Sequence, residues 1–515
     1  MSGSKVYVYL CAALSAIGGL LFGYDIGVIS GILTMPHFRE EFPADPVKEG
    51  TIVSSLLAGC FFGALISGYF ADKVGRRFSI LGGSLFFIVG CVLQATSTTF
   101  VQLYFGRIIS GLSIGPKEIR GRLVTLQQWS ITIGIAISFW IDYVAEKIDS
   151  PVQWRIPLCI QTVPAIILAV GTLFLPFSPR WLMDHNREEE AIAVLAKLRA
   201  GGDKNAAIVQ EEYLEIKDNV LFEREFAAKN YFELVKKGPE NIRRRMILGI
   251  FIQIFQQLTG INAIMYYAPQ IFINAGLTSN SSSLLATGIN GLVNMLSTIP
   301  AILWIDRWGR RPTLISGGIL MGISMLIIGL ILALNGNKYY DPVLKKNFVK
   351  LENKSCSYAV IVFIYTFVAS FAYSWGPTGW IYPAEIYPLR IRSKAMSVTT
   401  ASNWLINIII GQIVPSLLDK ITWGTFIIFG VFGMTMAISV LIYYPETKGK
   451  SLEEMDGLFG KTHSRSINQH LPPSSIGDLE HGESEIKKEA SLSTSPAEIN
   501  VVEFPEKDGN YRLIS

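Results

Sequence analysis

Apolar runs long enough to cross a bilayer recur along the whole chain, and no other feature narrows its fold as far. A hydrocarbon core of about 30 Å needs roughly 20 apolar residues per helix. Ser79 to Phe100 and Gly424 to Tyr444 are two such runs. Divided at the charged connectors, the sequence predicts twelve spans. Their cores are 7–33, 52–71, 79–98, 101–115, 123–144, 156–175, 246–275, 284–305, 312–334, 357–384, 395–417 and 424–444. Of the 515 residues, 50% are hydrophobic and 17% charged, and this many spanning runs do not fit inside one soluble core. The fold class is therefore an all-α polytopic membrane protein. The first run passes a polar Asp25 and continues to Ile32, which reads as a transmembrane helix and not a cleaved leader. Cys11, Cys60, Cys91, Cys159 and Cys356 show no CxxC spacing, so they read as packing residues and not a metal or disulfide set.

The net charge of +4 belongs to basic connectors and not to nucleic-acid binding. Lys73 to Arg77, Lys117 to Arg122, Arg243 to Arg245, Arg307 to Arg311 and Arg390 to Lys394 all fall on one side of a twelve-span chain. Lys and Arg mark the cytoplasmic face. Both termini and the middle loop share that face. Asn280-Ser-Ser282 and Asn353-Lys-Ser355 then lie outside, where sequons are candidate glycosylation sites.

The spans also repeat. Asp72-Lys-Val-Gly-Arg-Arg77 joins spans two and three, and Asp306-Arg-Trp-Gly-Arg-Arg311 joins spans eight and nine. Pro116-Lys-Glu-Ile-Arg-Gly-Arg122 precedes span five, and Pro388-Leu-Arg-Ile-Arg-Ser-Lys394 precedes span eleven. Pro176-Phe-Ser-Pro-Arg180 closes span six, and Pro445-Glu-Thr-Lys-Gly449 closes span twelve. Three matched pairs in the same order predict a duplicated six-helix unit, an architecture of transporters that hold substrate between their halves. The expected organisation is an N-terminal bundle at 1–177, a cytoplasmic linker with short helices at 178–245, a C-terminal bundle at 246–458 and a disordered cytoplasmic tail at 459–515. The tail is rich in Ser, Glu, Pro and Lys and is a candidate binding region for regulatory proteins.

At these motifs the chain resembles the sugar porters of the major facilitator superfamily, and within them the fungal hexose (monosaccharide) transporters. The resemblance runs from about Gly18 to Leu458. It includes Phe22-Gly-Tyr-Asp25, Gly106-Arg107, Arg120-Gly-Arg122, the Pro-x-Ser-Pro-Arg-Trp run at 176–181 and Gln256-Gln-Leu-Thr-Gly-Ile-Asn262. Gly376-Pro-Thr-Gly-Trp380, Pro383-Ala-Glu385 and the two DxxGRR connectors complete it. The resemblance implies the major facilitator fold and alternating-access transport across the plasma membrane.

A sugar's hydroxyls donate and accept, as Gln and Asn side chains do. Such amides are costly in apolar helices unless used. Gln128, Gln256, Gln257, Asn262, Asn294 and Asn403 are the candidates, and the resemblance implies the same positions. Against this stands a role as interhelical glue, about 0.6 to 2 kcal/mol per bond. Trp380 offers a face for the apolar side of a pyranose, or an interfacial anchor. Gly376 and Pro377 weaken span ten, and Tyr266 and Tyr267 follow Gly260; both places are candidate gates. Asp72, Arg76, Arg77, Asp306, Arg310, Arg311 and Glu385 are candidates for charge contacts that change with conformation. Asp25 is a carboxylate within an apolar run, and Arg107 on span four is its natural partner. The resemblance implies proton coupling through this pair; a static ion pair is the alternative.

The two halves disagree at span four. From Gln102 to Gly115 a helix covers only about 21 Å, against a core of about 30 Å, before Pro116-Lys-Glu follows at once. Either the fourth span is short and distorted, or a segment is missing from the sequence. Both readings predict impaired folding or transport. The expected function is carriage of a monosaccharide such as glucose, with proton symport or facilitated diffusion left open. A non-transporting sugar sensor and a carrier of another polyol, quinate or a disaccharide are the alternatives. No Ser-His-Asp constellation, metal cluster or phosphate loop points to an enzyme. No cofactor is implied, and the expected partners are sugar, proton and membrane lipid.

Overall fold

The computed structural model describes residues 3–113, 122–226, 230–236, 238, 240–277, 279–341, 346–388, 390–450 and 452–459. Of the expected tail, 460–515 lie outside the described residues, as do Pro116 to Gly121 of the connector before span five.

Twelve helical segments follow the predicted order. They are Gly3–Ile32, Pro46–Val74, Arg76–Ala95, Phe100–Leu112, Arg122–Ala145, a sixth made of Arg155–Ile160 and Thr162–Leu173, a seventh made of Ile242–Leu258 and Ile261–Asn274, then Asn280–Trp308, Arg310–Asn335, a tenth made of Lys354–Tyr373 and Trp375–Ile386, Arg392–Lys420 and Trp423–Tyr443. Among the described residues, nine of these are long and apolar enough to cross a membrane by length and composition. Span four is one of the others. Its helix has 13 residues, about 20 Å at 1.5 Å per residue. The chain differs from a purely helical one in a hairpin, Gly336–Asp341 paired antiparallel with Lys346–Leu351, between spans nine and ten.

Small residues let the spans approach. Gly19, Gly23, Gly27 and Gly31 recur every four residues on span one and all press on span five. A Cβ added at Gly23 would lie 1.9 Å from the Ile131 carbonyl, so only glycine permits this backbone approach. Both DxxGRR connectors turn on a glycine with positive φ, +89° at Gly75 and +89° at Gly309.

The linker forms helices Pro179–Asp184, Glu188–Arg199 and Ala207–Phe226. Its charge pairs are Arg187–Glu190 and, between helices, Arg199–Glu212. A last helix, Leu452–Phe459, is tied to span seven by Asp456, which accepts from the buried Arg245 at 2.7 Å.

The two halves meet at the end opposite the basic connectors. Ser54 of span two donates to Gln412 Oε1 of span eleven at 2.7 Å, and Gln412 Nε2 reaches Val47 O at 3.1 Å. Asn280 Nδ2 of span eight donates to Thr34 O at 3.3 Å, and Ser281 Oγ to Glu146 Oε2, just past span five, at 3.3 Å. Gly288 and Gly291 pack against Trp140 and Phe139. That end of the seam is closed. Asn280, a predicted glycosylation position, therefore places its amide nitrogen in the seam, whereas Asn353 caps the first helix of span ten by accepting from Ser355 N.

Candidate functional site

Prolines decide where the backbone in the middle of the molecule needs help. A helical proline cannot bond the carbonyl four residues before it. Pro383 frees the Gly379 carbonyl, and Gln253 Nε2 donates to it at 2.8 Å. Pro415 frees the Gly411 carbonyl, and the Tyr267 hydroxyl donates to it at 2.8 Å. Span ten breaks at Ser374, two residues before the predicted weak point, and Gln256 Nε2 donates to Trp375 O at 2.9 Å and Gly376 O at 3.2 Å. Span seven breaks at Gly260, φ +85°, and kinks again at Tyr267 before Pro269.

A continuous network of amides spans these breaks. Asn403 Nδ2 donates to Gln253 Oε1 at 2.6 Å and to Gln256 Oε1 at 2.9 Å. Gln257 Nε2 donates to Asn403 Oδ1 at 2.9 Å. Asn262 Nδ2 donates to Gln257 Oε1 at 2.6 Å and to Asn407 Oδ1 at 2.9 Å. The Tyr266 hydroxyl closes the network on Asn407 at 3.5 Å. Four of the predicted residues, Gln256, Gln257, Asn262 and Asn403, are thus joined.

Gln128, from the other half, stands close to the break, since a Cβ on Gly376 would lie 3.5 Å from its Nε2. Asn294, on span eight, is 4% exposed, and its Oδ1 has no hydrogen-bond partner; the Oδ1 of the neighbouring Asn290 is also orphaned. Trp380 is half-buried at the end of the same broken stretch. Gln253 and Asn407 went unnoticed in the sequence. Helical spacing could have found them, because 253, 256 and 257 share a face, as do 403 and 407.

Asp25 and Arg107 are 0% and 1% exposed and face each other at 3.8 Å. Their engagement is loose. Asp25 Oδ1 and Arg107 Nε make no hydrogen bond, while Arg107 Nη1 reaches Gln94 Oε1 at 3.4 Å and Ser110 Oγ reaches Asp25 Oδ2 at 3.5 Å.

At the basic end, the second-half motifs converge. Arg310 Nη2 pairs with Glu385 at 2.7 Å and Asp306 at 3.0 Å, and Thr447 Oγ1 donates to Glu385 at 2.6 Å. Glu446 accepts the backbone N–H groups of Arg310, Arg311, Thr447 and Lys448. Partial burial works against its charge, but these N–H groups prevail and hold its carboxyl below the usual glutamate range. Arg311 turns its guanidinium to Leu441 O. In the first half, Arg77 lies over the rings of Phe78 and Phe177. The side chains of Asp72 and Arg76 lie outside the described residues; the backbone places Asp72 inside span two.

The model of the family described as sugar (and other) transporter matches residues 11–459. The chain is 39% identical over 486 residues to the MFS glucose transporter mfs1 of Aspergillus flavus, covering 88% of this chain and 90% of that protein. It is 35% identical over 521 residues to the high-affinity glucose transporter 1 of Candida albicans, covering 95% of each. Among solved structures it resembles the proton:xylose symporter XylE bound to 6-bromo-6-deoxy-D-glucose, with a TM-score of 0.71, 27% identity, and coverage of 88% of this chain and 100% of that one. The inward-open form of XylE from E. coli matches with a TM-score of 0.68 and 28% identity over 88% of this chain and 100% of that one.

Proposed function

The chain belongs to the sugar (and other) transporter family, and from that premise we propose that it carries a monosaccharide, a hexose such as glucose, across the plasma membrane by alternating access. The basic connectors, both termini, the linker and the tail face the cytoplasm, and the seam closed by Gln412 and Asn280 faces outward.

The observation that carries this reading is the amide network at the breaks of spans seven and ten. Its members are both donors and acceptors, uncharged, and joined to one another. A sugar hydroxyl exchanges places with an amide partner at little net cost in hydrogen bonds. Gln128, Gln256, Gln257, Asn262, Asn294 and Asn403 hold hydroxyls, with the orphaned Asn294 Oδ1 taking one directly. Trp380 supplies an apolar face. Tyr266 and Tyr267, beyond the Gly260 hinge, close the outer side. Glu385, Asp306 and Arg310 hold the second-half helices together at the inner side.

Proton symport follows from the loose Asp25–Arg107 pair. Protonating Asp25 removes the attraction that holds Arg107 and frees it for another conformation. A tight, fully hydrogen-bonded pair would instead be a fixed structural element; the 3.8 Å separation favours a switch. Uptake of radiolabelled glucose in a transporter-null cell, with and without a proton uncoupler, tests both parts. No uptake with retained sugar-dependent signalling would assign a sensor. Uptake indifferent to the uncoupler would assign facilitated diffusion.

A further inference from the structure

Asp142 on span five is a second buried carboxyl, and neither Asp25 nor the amide network accounts for it. Its side chain is 0% exposed, and among the described residues only the Gly31 backbone of span one approaches its oxygens as a polar partner. The backbone of Gly31 on span one runs against it so closely that an added Cβ would lie 2.5 Å from Oδ2. Ionised carboxylates inside a membrane are found with a cation, donors or water. Among the described residues no cation pairs with this one.

The titratable groups around it do not supply a counter-charge. Span one brings Tyr24, whose hydroxyl donates to Pro157 O at 2.9 Å. Span six brings Cys159 and Arg155, and the arginine pairs with Glu41 of the helix Pro36–Glu41. The other charged groups of that short helix are engaged elsewhere, His37 with Glu40 and Asp149, and Arg39 with Leu33 O. Span five itself carries Tyr143; just past its end Glu146 accepts from Ser281 and Lys147 lies over the Tyr143 ring. Span eight carries no titratable side chain from 280 to 305.

Position gives this carboxyl a role. Phe139 and Glu146, one turn to either side of it, touch span eight in the closed outer seam. We infer that Asp142 is a proton-binding site, which takes a proton from the outside water when spans five and eight part and must hold it for the outer seam to close. The proton adds to a carboxylate oxygen and the acid is sealed neutral, so no charge is buried. This inference rests on the alternating-access reading. Its sign is fixed by linkage: the closed form holds the proton more tightly than the open form. Closure is therefore favoured in acid and lost as pH rises, by at most about tenfold per pH unit for one proton.

The test uses the full chain, purified in nanodiscs. Infrared spectra of the wild type should contain a protonated carboxylic C=O band that Asp142→Asn removes. Spin labels at exposed Val47 of span two and Ile413 of span eleven should separate as pH rises, and D142N should abolish that response. Should that variant fold poorly, D25N carries the same test, because its remaining band must be lost in step with the separation. Identical spectra in the two proteins, an unchanged pH response in D142N, or a band lost without separation would each overturn the inference. The transport reading fails separately, if glucose neither binds nor moves while band and separation still depend on Asp142.

Discussion

Asn403 is the most connected side chain of the amide network, and replacing it by leucine gives the sharpest test of the site. The substitution removes three short hydrogen bonds, two donated to Gln253 Oε1 and Gln256 Oε1 and one accepted from Gln257, together with a long one to Gln253 O at 3.5 Å. Interhelical bonds in membranes contribute about 0.6 to 2 kcal/mol each. Three coupled bonds therefore amount to roughly 2–4 kcal/mol, less than the plain sum of the largest values, because orphaned neighbours re-pair. Part of this loss falls on helix packing and part on sugar. We expect the dissociation constant for glucose to rise about 10- to 100-fold, or about 1.4–2.8 kcal/mol. Equilibrium binding of radiolabelled glucose to purified protein, with a thermal melt as a control, measures it. The double variant with Gln257→Leu should lose less than the sum of the singles, since the two share one bond. Binding within twofold of wild type, in a variant that melts normally, would refute the placement of the sugar at this network.

Asp25→Asn should leave downhill exchange and abolish accumulation against a gradient; uphill uptake by the variant would remove the proton-coupling reading. Glu446→Gln should weaken the inner latch and make it insensitive to acid. The carboxyl sits below its usual range, so its contribution is full above that range and is lost as pH falls through the lowered value; a melt whose acid limb is the same in both proteins would contradict this. Gly23→Val drives a side chain into the Ile131 carbonyl and should cost about 1–3 kcal/mol or more, read as a lower melting temperature or loss of folded protein. Lengthening span four to match the other spans should raise glucose uptake, and equal uptake would show that 13 residues suffice there.

The twelve segments, their order, the duplicated connectors and the family were legible in the amino-acid order because each depends on local chemistry. An apolar run of spanning length has one stable place, and a glycine between charged residues has few. Gln256, Gln257, Asn262 and Asn403 were legible for a related reason: an amide in hydrocarbon stands out against its neighbours. Which partners those amides take depended on tertiary structure. Gln253 meets Gly379 O only because Pro383, on another span, leaves that carbonyl free. Asn407 counts only because span eleven faces span seven. The closed outer seam, the 3.8 Å gap between Asp25 and Arg107, and the sealing of Asp142 against Gly31 are equally products of packing. Sequence spacing determines which residues share a helix face. What that face meets is set by how the helices cross, and small glycines far apart in the chain decide how closely they do so.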